Sequence, residues 1–293
     1  MKPEDFELLR SLVEERSGLV LTKEKLYLLE SRLIPLARKR GMAGLDKLIR
    51  EIRTRREESL LTAVTEAMTT NESSFFRDIK PFENFRKFVL PKLVEGHAAG
   101  RAIRIWSAAC STGQEPYSIA ICLREEAAKL GGHRFEIVAT DLSVEVLEKA
   151  KVGMYSQFEI QRGLPIQILM KYFKQVDEMW QVDASIRAMV KFRKLNLLQE
   201  FSSLGRFDVV FCRNVLIYFG KATKKLVFDR LRRIMLTDGF LFLGGAETVL
   251  GITDAFCRVD GYRGVYQMLS EIKPSWSSTS GTKENLAAQA PGP

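Results

Sequence analysis

The chain has 293 residues, room for one large domain or two modest ones, and 45 Lys and Arg against 36 Asp and Glu give it a formal charge of +9. No stretch is apolar and long enough to span a bilayer and residues 1–10 lack a signal-peptide core, so a cytoplasmic protein is expected. Scattered cysteines (Cys110, Cys122, Cys212, Cys257) without a CxxC, and histidines only at His97 and His133, argue against disulfides, a metal site or a Ser-His-Asp triad.

Residues 1–75 read as an all-α domain. Phe6, Leu9, Leu12 and Val13 share one helical face, Leu26, Leu29, Leu33 and Leu36 another, and two more helices are predicted over 45–56 and 60–70. Between 38 and 56, Arg38, Lys39, Arg40, Lys47, Arg50, Arg53, Arg55 and Arg56 face only Asp46 and Glu51. Such a run is either a solvated helix face or a docking surface for an acidic partner, and composition does not choose between them. The linker TTNESSFFR follows. Asn71 or Ser73 could cap the next helix, and Phe75 and Phe76 could staple two domains together, but neither role employs Arg77.

From residue 101 the pattern becomes α/β. Ile103 and Ile105 mark a short buried strand, and Ser107-Ala108-Ala109-Cys110-Ser111-Thr112-Gly113 forms a loop small enough for close backbone approach to a ligand. Pro116 suits the first turn of the following helix, and Glu115 lies at its positive end. This is the layout of a nucleotide-type site at the carboxyl edge of a parallel sheet, without the GxGxxG of a dinucleotide fold. A second strand over 135–140 ends in Asp141, whose carboxylate can accept from both hydroxyls of a ribose diol or cap the helix predicted over 144–150. Residues 153–195 break the alternation and are read as a compact insertion with a small antiparallel patch. An apolar strand, FDVVFC, then runs into Arg213-Asn214-Val215-Leu216-Ile217-Tyr218-Phe219 at the sheet edge. A helix over 222–235, a strand over 239–246 and a hairpin over 256–268 around Asp260-Gly261 close the domain. Residues 273–293, rich in Ser, Thr, Gly, Ala and Pro, are predicted to be disordered.

Glu115, Asp141, Asn196 and Asn214 thus gather at one edge, with Asn71 and Arg77 arriving from the linker. The set suits a ligand with an adenine, a ribose diol and an amino-acid end, and no Walker lysine or phosphate cradle accompanies it. S-adenosylmethionine meets those demands better than ATP or NAD, with Asp141 on the diol, Glu115 on the ammonium and Asn196 at the adenine edge.

The segments TTNESSFFR, WSAACSTGQEPYSIA, ATDLS followed by VLEKAKVGMY, LNLL and FDVVFCRNVLIYF, in this order, resemble the chemotaxis receptor glutamate methyltransferase family, CheR. The resemblance implies a Rossmann-like S-adenosylmethionine-dependent methyltransferase sheet over 76–272 with a small antiparallel β insertion, preceded by an all-α domain that docks on receptor helices. It implies cofactor contacts at Asn71, Ser73, Arg77, Glu115, Asp141, Asn196, Leu197, Asn214 and Val215, with S-adenosylhomocysteine as product. The docking residues taken from the basic run and its neighbour are Arg32, Arg38, Arg40, Arg50 and Arg53. Two departures stand out. Gln114 replaces a Glu common in relatives, and 174–186 is short, without the glycine-containing insertion that binds a receptor pentapeptide, so no pentapeptide tether is expected. A monomer that meets the membrane only through receptors and binds no nucleic acid completes the expectation. A glutamate acceptor is already ionised near neutrality, so no general base is needed. Arg77 and Tyr218 are the candidates for holding the acceptor carboxylate, with cofactor binding and packing as their respective rival roles. A basic methyltransferase acting on RNA and a cofactor-sensing module without turnover remain as alternatives. The first lacks prolines in NVLIY and stacking aromatics among its basic residues.

Overall fold

The computed structural model describes residues 1–96 and 100–269, so the tail predicted to be disordered lies outside the described residues, as does His97. The chain opens with helices α1 (Pro3–Ser17), α2 (Leu26–Lys39), α3 (Leu45–Thr54) and α4 (Glu58–Met68). Pro3 starts α1 where a missing N–H costs nothing, and Gly18, at φ 78°, ends it by donating to the Glu14 carbonyl. The predicted faces turn inward. Phe6, Leu9, Leu12 and Val13 of α1 join Leu29 and Leu33 of α2, Leu48 and Ile52 of α3, and Leu60 and Val64 of α4, while Leu26 and Leu36 stay partly buried at the rim.

A linker leads to α5 (Lys80–Asn84), a π turn (Phe85–Val89) and α6 (Leu90–Gly96). Pro91 has no N–H to continue the helical ladder, which accounts for the irregular turn before it. There follow β1 (Ile103–Ala108), α7 (Gln114–Glu125), β2 (Phe135–Asp141), α8 (Val144–Val152), β3 (Met154–Ser156), α9 (Gln157–Gln161), α10 (Ile166–Tyr172), β4 (Phe173–Val176) and β5 (Met179–Val182). The chain continues through α11 (Ala184–Arg187), β6 (Val190–Lys194), β7 (Phe207–Cys212), α12 (Lys221–Ile234), β8 (Met235–Leu243), β9 (Phe256–Arg258) and β10 (Val265–Met268). The 7-stranded sheet has the order β6-β2-β1-β7-β8-β10-β9. Pairing is parallel from β6 to β8, and β10 runs antiparallel to both its neighbours. This is the Rossmann-like sheet that the sequence resemblance implied. Strand β7 is buried along its whole length because both sheet faces are covered, which is why it reads as a continuous apolar run. The winding reverses between β1 and β7, and there the crevice opens at the carboxyl ends of the strands.

A separate 3-stranded antiparallel sheet, β3-β5-β4, makes up the insertion. Residues 190–194, read as part of that insertion, instead form β6, the parallel edge strand beside β2. Only Val190 of β6 is buried, and the Lys and Arg of an exposed edge imitate the alternation of a small surface patch. The β4–β5 connection is the short turn Asp177-Glu178, with Asp177 at φ 53°.

Phe75 also departs from expectation. It is fully buried and meets Tyr155 and Phe173 edge-on at 4.9 and 5.2 Å, so it fastens the linker to the insertion rather than to the helical half. The helical half is joined elsewhere. Leu9, Leu29 and Val64 share one core with Trp106, Phe228 and Leu243, and Leu19 forms an antiparallel bridge with Phe219. Beside that bridge, the Val20 N–H donates to the Tyr218 carbonyl at 2.9 Å.

Candidate active site

The loop after β1 can follow its path because its residues are small: Ala109 and Ser111 adopt φ 54° and 52°, and Gly113 adopts 96°. A Cβ on Gly113 would stand 3.0 Å from that of Ala150 and 3.1 Å from the Tyr155 hydroxyl. The loop is tied on two sides. The Ser111 N–H donates to Asp141 Oδ2 at 2.9 Å and its hydroxyl donates to the Asn71 carbonyl at 2.8 Å. Asp141 Oδ1 accepts from the Ser143 N–H at 3.0 Å; Ser143 is itself the first flanking residue of α8, which has no side-chain cap, so the carboxylate ties the turn before the helix and the β1 loop while keeping lone pairs for a ligand. Burial pushes its carboxyl above the ordinary range, against the pull of those backbone donors.

Glu115, in the first turn of α7, accepts from the Ser107 hydroxyl at 2.8 Å and from Arg213 at 3.1 Å. Burial raises its carboxyl too, opposed by the neighbouring Arg213 charge. After β7 the chain turns sharply at Asn214, φ 59°. That turn is pinned by Glu247. Its carboxylate accepts backbone N–H groups from Asn214, Val215, Leu216 and Ile217 at 2.7 to 3.3 Å and from Gly244 at 2.6 Å. Asn196 fixes the turn after β6 by donating to the Arg16 carbonyl at 2.6 Å and accepting from the Leu198 N–H at 2.9 Å. Much of its amide is therefore already committed to the fold, with one amide hydrogen left for a ligand edge.

These elements enclose one cleft of about 890 Å³, open mouth included. It is lined by Asn71, Ser73, Arg77, Glu115, Asp141, Asn196, Leu197, Asn214, Val215 and Tyr218, so every residue expected at the cofactor or the acceptor lies on the same cavity. Arg77 donates to the Glu72 carbonyl at 3.0 Å, and Tyr218 lines the same cleft half-buried. Cys110 also borders the cleft, and burial pushes its thiol well up, away from the thiolate form. Among the lining residues Glu72, Glu115 and Asp141 outweigh Arg77 and Arg213. A cleft that offers the buried Asp141 at the end of β2 and Glu115 in the first turn of α7 fits a cationic nucleoside carrying a diol and an ammonium.

Comparison with known proteins decides which such ligand applies. The family model described as CheR methyltransferase, SAM binding domain, matches residues 71–265, and the CheR all-alpha domain matches residues 4–69. The chain belongs to the CheR methyltransferase family. Chemotaxis protein methyltransferase 1 of Pseudomonas aeruginosa is 43% identical over 265 residues, which cover 89% of this chain and 96% of the relative. Chemotaxis protein methyltransferase Cher2 of Pseudomonas putida is 41% identical over the same shares, and a relative from Borreliella burgdorferi is 35% identical over 85% of this chain and 89% of its own. Membership makes this CheR chain an S-adenosylmethionine-dependent methyltransferase of the chemotaxis class.

The docking arginines divide. Arg32 donates to the carbonyls of Met68 and Thr69 at 2.6 and 2.8 Å, closing the end of α4. Arg40 bonds the Ser59 hydroxyl and carbonyl, and Arg53 pairs with Asp5 at 2.7 Å. Arg38 and Arg50 remain exposed. Reading the sequence places Arg213 at the sheet edge without giving it a role and does not single out Glu247. Arg213 stood in plain view in the CRN of the strand end, but nothing in the letters says that its side chain turns under the linker.

Proposed function

We propose that this CheR methyltransferase esterifies glutamate side chains on the cytoplasmic helices of chemoreceptors. The observation that carries the reading is the presence of Arg77 and Tyr218 on the cofactor cleft, a cation and a phenol, with no His or Lys among the described residues that line it. An acceptor that arrives ionised needs that equipment and no more. Asp141 accepts from the ribose hydroxyls, Glu115 from the ammonium, and the Asn196–Leu197 turn borders the adenine. When bound, S-adenosylmethionine supplies a methyl group activated by its sulfonium. Arg77 and the Tyr218 hydroxyl hold the incoming carboxylate in line and strip it of water. A carboxylate and a sulfonium become a neutral ester and a neutral thioether, so no proton has to move and a half-buried cleft favours the charge cancellation. The protein works in the cytoplasm, meets the membrane only through its substrate, and uses no pentapeptide tether. The short β4–β5 turn and the basic charge around Arg38 and Arg50 support that reading.

Purified protein, given labelled S-adenosylmethionine with receptor cytoplasmic fragments and RNA in parallel, tests it. Base-labile label on the receptor is expected, whereas alkali-stable label on RNA, or none on either, refutes it. Tyr218→Phe keeps the ring and removes only the hydroxyl. kcat is expected to fall about ten- to a hundred-fold for the loss of one hydrogen bond to a charged group, with S-adenosylhomocysteine affinity unchanged in calorimetry. A wild-type kcat in that variant returns Tyr218 to packing.

Docking is tested at Arg38 and Arg50, because reversing Arg32, Arg40 or Arg53 would also break contacts within the fold. Arg38→Glu with Arg50→Glu should raise KM for receptor about 2- to 20-fold at low salt, less at physiological ionic strength, and leave cofactor affinity alone. Receptor kinetics that do not change at low salt make the run a solvated face.

A further inference from the structure

Arg213 is a cation with only 1% of its side chain exposed, placed between the cofactor cleft and the linker. One arm donates to Glu115 Oε2 at 3.1 Å; the other donates to the Arg77 carbonyl at 3.0 Å and to Asp78 Oδ2 at 2.7 Å. Its plane lies over the Phe82 ring, 5.7 Å from the centroid, and its Nε is buried without a partner. The linker it grips is not relaxed: Phe76, Asp78 and Ile79 all adopt left-handed φ, at 49°, 68° and 50°. Residues without the freedom of glycine hold such angles only where their surroundings impose them. Arg213 is the charged part of those surroundings, and Arg77, whose backbone it holds, presents its side chain to the cleft.

We infer that Arg213 is a positioning residue that couples filling of the ammonium end of the cleft to the set of the Phe76–Ile79 backbone, and so to the placement of Arg77. Glu115 and Asp78 sit on the two arms of one buried guanidinium and share its charge. A ligand ammonium that shares the Glu115 charge weakens the Glu115 arm, and the guanidinium then leans on Asp78 and the Arg77 carbonyl. The linker tightens when the cofactor's amino-acid end is in place, so the acceptor's arginine is organised only in the loaded enzyme. A second tie, from Asp141 through Ser111 to Asn71, could carry a signal from the ribose instead, and the two routes make different predictions.

Amide hydrogen exchange at Phe76 and Ile79 reads the coupling without any methyl acceptor, so the result does not depend on the glutamate assignment. Saturating S-adenosylhomocysteine, which has the ammonium, is expected to slow exchange there about ten-fold, and saturating 5′-methylthioadenosine, which has only the adenine and ribose, is expected not to. In Asp78→Asn, where asparagine tolerates the left-handed backbone and the position is exposed, S-adenosylhomocysteine should bind within about two-fold of wild type while the slowing disappears. Arg213→Lys should lose the slowing too, because an ammonium cannot bridge both acceptor sets. Equal slowing by both ligands places the coupling on the Asp141 route and overturns the proposal, as does undiminished slowing in Asp78→Asn. If Arg213→Lys does not fold, Asp78→Asn decides alone.

Discussion

Glu247→Ala is expected to destabilise the protein by about 3–5 kcal/mol and to weaken S-adenosylhomocysteine binding with it. The carboxylate collects the N–H groups of Asn214, Val215, Leu216, Ile217 and Gly244, and alanine leaves all of them without that acceptor. Two of these groups, on Leu216 and Gly244, are buried, and a buried orphaned donor costs about 1–3 kcal/mol before water or backbone relaxation recovers part of it. Asn214, held at φ 59° by this arrangement, should relax, and the wall of the cleft formed by Asn214 and Val215 should move with it. Glu247→Gln keeps an acceptor oxygen and should fall between alanine and wild type. Denaturant titration checks the order, and an alanine variant with the wild-type midpoint would show that the turn holds itself.

Asp141→Ala should reduce S-adenosylhomocysteine affinity about a hundred-fold or more, since two hydrogen bonds to a charged acceptor are worth about 1.5–3 kcal/mol each. The same change removes the acceptor of the Ser111 and Ser143 N–H groups, so a fall in thermal stability must accompany it. Asp141→Asn separates the effects, because an amide oxygen still serves one of those donors while the charge is gone. Affinity in wild type should also depend on pH in a stated direction. Burial raises both the Asp141 and the Glu115 carboxyls, and the ligand selects their ionised forms. Binding should therefore start to weaken, as pH falls, above the range of ordinary carboxylates. Calorimetry across mildly acidic pH measures it; an affinity flat down to the ordinary carboxylate range would sever those acids from the ligand.

Much of this was legible in the letters, for identifiable reasons. Strand β7 announces itself because a strand covered on both faces has no polar alternation, and Asp141 because an acid at a strand end has few places to go. Strand β6 misled because a charged edge of a large sheet and a face of a small one carry the same pattern. Arg213 and Glu247 were not legible in their roles. Each works through where its side chain points after a turn, one beneath the linker and one toward a row of amides after the neighbouring strand, and no spacing rule encodes such a direction. The same holds for Arg32, a member of the basic set that spends itself on the end of α4.

The bridge from Leu19 to Phe219 changes how the two family domains should be pictured. In sequence there is a seam near residue 70; in space there is none, because Leu9, Leu29 and Val64 are packed into the same core as Phe228 and Leu243. The backbone that carries Tyr218 is laced to the segment just after α1. On the docking proposed above, a partner on the helical half is linked through this shared core and bridge to the turn that carries Tyr218. Close-packed interiors transmit displacement rather than damp it. Cutting the chain at its apparent seam would open that shared core rather than release two finished domains.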